Sequence, residues 1–92
     1  MPPGLRLNPM HVKVFVTPKG GVLDPQGQAI ERSLHSIGYH EAKRVRMGKY
    51  LEFELEASSR AEAEGRIREM CEKLLANPVI EDYHFEIQDG SS

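Results

Sequence analysis

The segment Gly20-Gly21-Val22-Leu23-Asp24-Pro25-Gln26-Gly27 constrains this chain most, because it dictates where a strand must stop and a helix must begin. Asp24 is a favoured N-cap residue, since its carboxylate can accept hydrogen bonds from the orphan amides of the first helical turn. Pro25 then takes the first helical position, where a missing N–H costs nothing and the fixed φ suits the helix. Gly20 and Gly21 let the chain turn sharply before the cap. A strand, a Gly-rich turn and a helix start can also cradle a phosphate. Here the Asp24 carboxylate already occupies the positive helix end and would repel one. The spacing also matches neither G-x-G-x-x-G nor G-x-x-x-x-G-K-S/T. The segment is therefore read as structural or partner-facing.

The remaining periodicities fill in the elements. Residues 1–10, with their prolines, are expected to be a loose leader, and residues 89–92 a flexible tail. From His11 to Thr17, Val12, Val14 and Val16 alternate with Lys13, Phe15 and Thr17, the period of a half-buried strand. Ala29, Ile30, Leu34 and Ile37 recur at helical spacing and predict a helix over about 25–37, stopped by Gly38. Val45 and Met47 alternate with Arg44 and Arg46, and Leu51, Phe53 and Leu55 alternate with Glu52, Glu54 and Glu56. Two such runs around Gly48-Lys49 predict a β-hairpin, with Val45 opposite Leu51 and Arg44 opposite Glu52. Ser59 and Glu62 fit a capping box, and the helix that follows places Ala63, Ile67, Met70, Cys71 and Leu74 on one stripe. Glu62–Arg66 and Glu69–Lys73 are expected to pair on its exposed side. Asn77-Pro78 ends it, and a last strand is predicted over about 79–88.

The resulting order, β-α-β-β-α-β, predicts an α+β fold of the ferredoxin-like kind. Residues 11–88 would form one domain, a four-stranded antiparallel sheet with two helices on one face. The opposite face would carry Lys13, Phe15, Arg44, Arg46, Glu52, Glu54, His84 and Glu86. An exposed sheet face with open edges favours self-association, so a homodimer or homotetramer is expected over a monomer.

Chemistry is harder to find. The net charge of −2 argues against nucleic-acid binding, and the strands lack the aromatic motif of RNA-recognition sheets. That charge is uneven: residues 1–46 carry seven Lys/Arg against three Asp/Glu, and residues 47–92 carry five against eleven. Such a dipolar surface can orient a domain against a partner, or can simply be two solvated faces. No apolar run approaches the ~20 residues of a membrane span. A single cysteine, Cys71, cannot form an internal disulfide, and a cytoplasmic, reduced setting is expected. Cys71 falls on the apolar stripe and reads as core rather than nucleophile. His11, His35, His40 and His84 match no metal-ligand spacing, so no metal site is expected. Glu52, Glu54 and Glu56 read as the solvent side of a strand. No catalytic or cofactor-binding residue is assigned.

Three segments go beyond a generic domain of this class. They are Val14-Phe15-Val16-Thr17 through Gly27, then Val45-Arg46-Met47-Gly48-Lys49-Tyr50, then Cys71-Glu72-Lys73-Leu74-Leu75-Ala76-Asn77-Pro78-Val79-Ile80-Glu81-Asp82-Tyr83. In order and spacing they resemble PurS, the small accessory subunit of phosphoribosylformylglycinamidine (FGAM) synthase, over residues 11–88. The resemblance implies a complex that converts formylglycinamide ribonucleotide (FGAR), glutamine and ATP into FGAM, glutamate, ADP and phosphate in purine biosynthesis. It implies two partners, a large PurL-type synthetase subunit and a PurQ-type glutaminase subunit, bridged by a non-catalytic homodimer or tetramer that assists ammonia transfer. ATP and magnesium are then expected on the synthetase, with no cofactor in this chain. The expected partner-facing positions are Gly20, Gly21, Asp24, Pro25 and Gly27; Arg44, Arg46, Gly48, Lys49 and Tyr50; and Asn77, Pro78, Asp82 and Tyr83. Each is equally explicable as fold punctuation. The alternative is a self-assembling ACT-like metabolite-sensing domain, which has the same order of elements.

Overall fold

Val12, Val14 and Val16 are fully buried between part-exposed neighbours, and they make β1 (Asn8–Pro18) the spine of the molecule. The structure, a computed structural model, describes residues 8–89. After β1 come α1 (Pro25–Ser36), β2 (Lys49–Ala57), α2 (Arg60–Met70) and β3 (Glu81–Asp89). The expected leader therefore overlaps β1 at residues 8–10, and Asp89 of the expected tail belongs to β3. Residues 1–7 and 90–92 lie outside the described residues.

The sheet has three antiparallel strands in the order β2-β1-β3. Its register keeps the alternation in phase. Val12 faces Phe53 and Ile87, Val14 faces Leu51 and Phe85, and Val16 lies across from Tyr83, so the apolar sets share one side. Lys13 faces Glu52 and Glu86 on the other side, and Phe15 faces Tyr50 and His84. α2 and the residue that follows it lay Ala63, Ile67 and Cys71, spaced four residues apart and all fully buried, onto the apolar face.

The four-stranded ferredoxin-like sheet, with both helices on one face, does not form. The missing strand is the one expected around Val45–Met47, and there is no hairpin: Leu51 pairs with Val14, not with Val45. The reason is a competition for backbone donors. Glu31 Oε1 accepts the Val45 N–H at 3.0 Å and Asp24 Oδ2 accepts the Met47 N–H at 2.9 Å. Arg44 has φ of 56°, a left-handed conformation that interrupts an extended run. Arg44 and Arg46 consequently sit on a loop and not on the open face of the sheet. Nor does α1 lie on the sheet as α2 does. Gly27 is its one buried residue, and Ile37 beyond its end is 71% exposed.

Local signals elsewhere hold with small shifts. Asp24 caps α1 through Oδ1, which accepts from Gly27 N–H at 3.1 Å. Ser59 Oγ accepts the Glu62 N–H at 3.1 Å, but the Glu62 carboxylate turns to Ser58 rather than completing the box at Ser59. Glu69 pairs with both Lys73 and Arg66 at 3.4 Å, whereas Glu62–Arg66 does not form. After Met70 the helix widens into a π-turn over Cys71–Leu75, closed by Ala76 N–H on the Cys71 carbonyl at 3.0 Å.

Candidate functional site

Three connections converge at one end of the sheet. β1 ends at Pro18 beside Glu81 of β3, and Val16 faces Lys49 of β2, so the turn after β1, the loop before β2 and the link before β3 all meet there. Most of the sequence-expected partner positions fall at this end. The Lys19 N–H donates to the Ile80 carbonyl at 2.9 Å, which ties the Gly20-Gly21 turn to the last connection. Lys19 Nζ lies 3.3 Å from the Asp82 carboxylate. The Arg46 guanidinium donates to the Pro18 carbonyl at 3.1 Å, and Asp24 links the N-terminus of α1 to Met47.

Two glycines make this arrangement possible. A Cβ on Gly27 would meet Asp24 and come within 2.6 Å of the Val45 carbonyl, and one on Gly48 would collide with the Val16 carbonyl. Both positions therefore require close backbone approach.

The turn and the loop enclose a cleft of about 600 Å³. Lys19, Arg44 and Arg46 line it together with Gly20, Gly21, Asp24 and Glu31. An adjoining cleft shares Pro18, Val22 and Asp24 and adds Leu23, Pro25, Met47 and Ile80. Leu23 is 75% exposed and nearby Val79 81% exposed, so an apolar rim borders the cations.

Other expected positions are turned to the sheet faces or engaged in folding. Tyr50 lies on the open sheet face, its ring 5.0 Å from Phe15, while His84 stacks on Phe15 at 5.7 Å. Partial desolvation and the neighbouring Glu52 carboxylate raise the Tyr50 phenol. Tyr83 is half-buried on the core side and donates to Glu72 Oε1 at 2.9 Å. Asn77 is occupied in folding. Its side chain accepts the Val79 N–H at 3.1 Å and its carbonyl those of Ile80 and Glu81, with Pro78 in the same turn. Lys49 reaches the Leu75 carbonyl at 3.4 Å and Glu81 at 4.0 Å.

A second surface escaped sequence reasoning. Phe53, Met70, Leu74 and Leu75 line an apolar groove of about 480 Å³ between β2 and the π-turn, flanked by Arg66, Glu69 and Lys73. Helical spacing places Leu74 on the buried stripe, yet the wider π-turn leaves it 82% exposed. The apolar pair Leu74-Leu75 at a helix end was the available signal. Leu23 was likewise visible as an apolar residue inside a turn segment.

The titratable groups serve the fold. Cys71 is fully buried, and burial raises its thiol. Glu52 is lowered first by its bond with His11 Nε2, 3.1 Å away. His35 and His40 stand 5.9 Å apart, with His35 Nε2 bonded to the Ala42 carbonyl at 2.6 Å. Among the described residues, no group of three or more His, Cys, Asp or Glu side chains gathers as a metal site would require. None of their helices is long and apolar enough to cross a membrane.

This combination defines a small α+β interaction domain, with polar groups engaged in its own loops and two exposed surfaces left for other molecules. Comparison with known proteins agrees with that class. The chain belongs to the PurS family: the family model, described as phosphoribosylformylglycinamidine (FGAM) synthase, matches residues 11–89. The PurS subunit of phosphoribosylformylglycinamidine synthase from Bacillus subtilis is 53% identical over 78 residues, or 85% of this chain and 92% of that protein. The solved structure of B. subtilis PurS superposes with a TM-score of 0.77 at 51% identity, covering 87% of this chain and 99% of that one. A chain in the structure of PurLQS from Thermotoga maritima superposes with a TM-score of 0.78 at 32% identity, covering 95% and 99%.

Proposed function

We propose that this chain is the bridging subunit of an FGAM synthase, docking a PurQ-type glutaminase to a PurL-type, ATP-dependent synthetase in purine biosynthesis. The observation that carries this is the near full-length match to PurS subunits, one of them solved within a PurLQS assembly. The physical need is plain. Ammonia released into bulk water is diluted and largely protonated, so its transfer requires docked active sites and excluded solvent. A domain whose loop end is braced by side-chain-to-backbone hydrogen bonds can hold two larger surfaces in register. In this reading the chain works in the cytoplasm as a homo-oligomer, and ATP and magnesium belong to the synthetase. The turn from Gly20 to Gly27, the Arg44–Tyr50 segment and the Asn77–Tyr83 connection are the proposed contact regions.

The test compares glutamine-driven with ammonia-driven FGAM synthesis by the purified synthetase and glutaminase, with and without this chain. Only the glutamine-driven reaction is expected to require it. A requirement in both reactions would make it a support of the synthetase itself, and a requirement in neither would remove the bridging role.

A further inference from the structure

The loop that replaces the expected edge strand carries two arginines that the fold does not consume. Arg44 makes no hydrogen bond or ion pair with another described residue, and Arg46 spends one contact on the Pro18 carbonyl. Their loop is nonetheless braced, because α1 and its cap hold Val45 and Met47 by their amides. Arg44 sits at positive φ, a conformation that L side chains rarely adopt, so these bonds hold the loop against strain. The carboxylates in the cleft are directed to amides too. Asp24 accepts from Gly27 and Met47, and Glu31 from Val45, so neither pairs with the arginines.

We propose that this end of the domain seats an acidic segment of a partner subunit, its carboxylates on Arg44 and Arg46 and an apolar side chain against Leu23 and Met47. The proposal rests on the bridging role and names the chemistry of the contact. Guanidinium groups suit carboxylates because both are planar and can bond through two parallel N–H···O contacts. The apolar rim separates a protein segment from a free anion. A small anion would leave Leu23, at 75%, and Met47, at 47%, as exposed as before. Arginine and methionine, here Arg44, Arg46 and Met47, are both enriched in protein interfaces. A braced loop also loses little conformational freedom on docking.

Two variants test this, Arg44→Gln/Arg46→Gln and Leu23→Ser, each first shown to keep the parent's circular dichroism. Binding to the separate synthetase and glutaminase subunits is then titrated at low and high salt. The arginine variant is expected to bind one of them at least about tenfold more weakly with a shallower salt dependence. Leu23→Ser is expected to weaken the same partner while keeping the parental salt dependence. Parental affinity of both variants for both subunits would overturn the proposal and leave the bridging role intact. A parent chain that binds neither subunit would overturn both. Loss of self-association in the arginine variant, with partner binding unchanged, would assign the cleft to a second copy instead.

Discussion

Glu52 and Glu62 lie below the ordinary carboxylate range because each accepts a hydrogen bond in the folded chain, Glu52 first from His11 and Glu62 first from the Ser58 hydroxyl. A lowered folded value means that their contribution is present above the unfolded pKa and is lost as pH falls through the folded one. Thermal stability is therefore expected to decline on acidification below about 4.5, the ordinary value for both groups. A Glu62→Gln variant is expected to lose less over that window. An equal decline in parent and variant, followed by circular dichroism, would contradict the assignment. The alkaline side has the opposite sign. The Tyr83 phenol is raised mainly by its bond to Glu72, and the Cys71 thiol by burial. Their contribution is present below the unfolded values, near 9 to 10, and is lost as pH rises past them. Alkaline melting curves that stay level through that range would refute it.

At the scale of elements, two glycines ought to respond in opposite directions. Gly48 leads into β2 against the Val16 carbonyl, so Gly48→Ala must push the backbone there away from β1. A loss of about 1–3 kcal/mol is expected from overpacking, read as a lower urea midpoint. Gly65 lies in the exposed part of α2 with open space where its Cβ would go. Gly65→Ala is expected to stabilise by about 0.5–1 kcal/mol, because alanine loses less backbone freedom on entering a helix. The elements themselves were legible where periodicity and caps agreed, as in β1, α1 and α2. The edge strand was misjudged because Val45 and Met47 alternate as a strand would. Nothing local announces that Glu31 and Asp24 capture their amides from 14 and 23 residues away.

The whole molecule is long and thin, with a radius of gyration of 17.9 Å and extents of 62 × 29 × 14 Å. A compact chain of this length has a radius near ~12 Å. The excess reflects a helix held away from the sheet, beyond which Ile37 is exposed, while the π-turn leaves Leu74 and its groove open. So small a core gains from further apolar burial, and self-association through these surfaces is expected. Sedimentation equilibrium is expected to show a dimer or larger species, and Leu74→Asp/Ile37→Asp to shift it to monomer. A parent that stays monomeric at high concentration would exclude this.

The sequence by itself determined the three alternating strands, both helix starts and family membership, because each depends on neighbours within a few residues or on an ordered string of them. Only the tertiary structure decided that three connections meet at one end of the sheet, that Arg44 and Arg46 belong to a braced loop, and that Leu74 faces outward. Those outcomes depend on long-range competition for backbone donors and on one extra residue in a helical turn. Neither leaves a periodic trace in the chain.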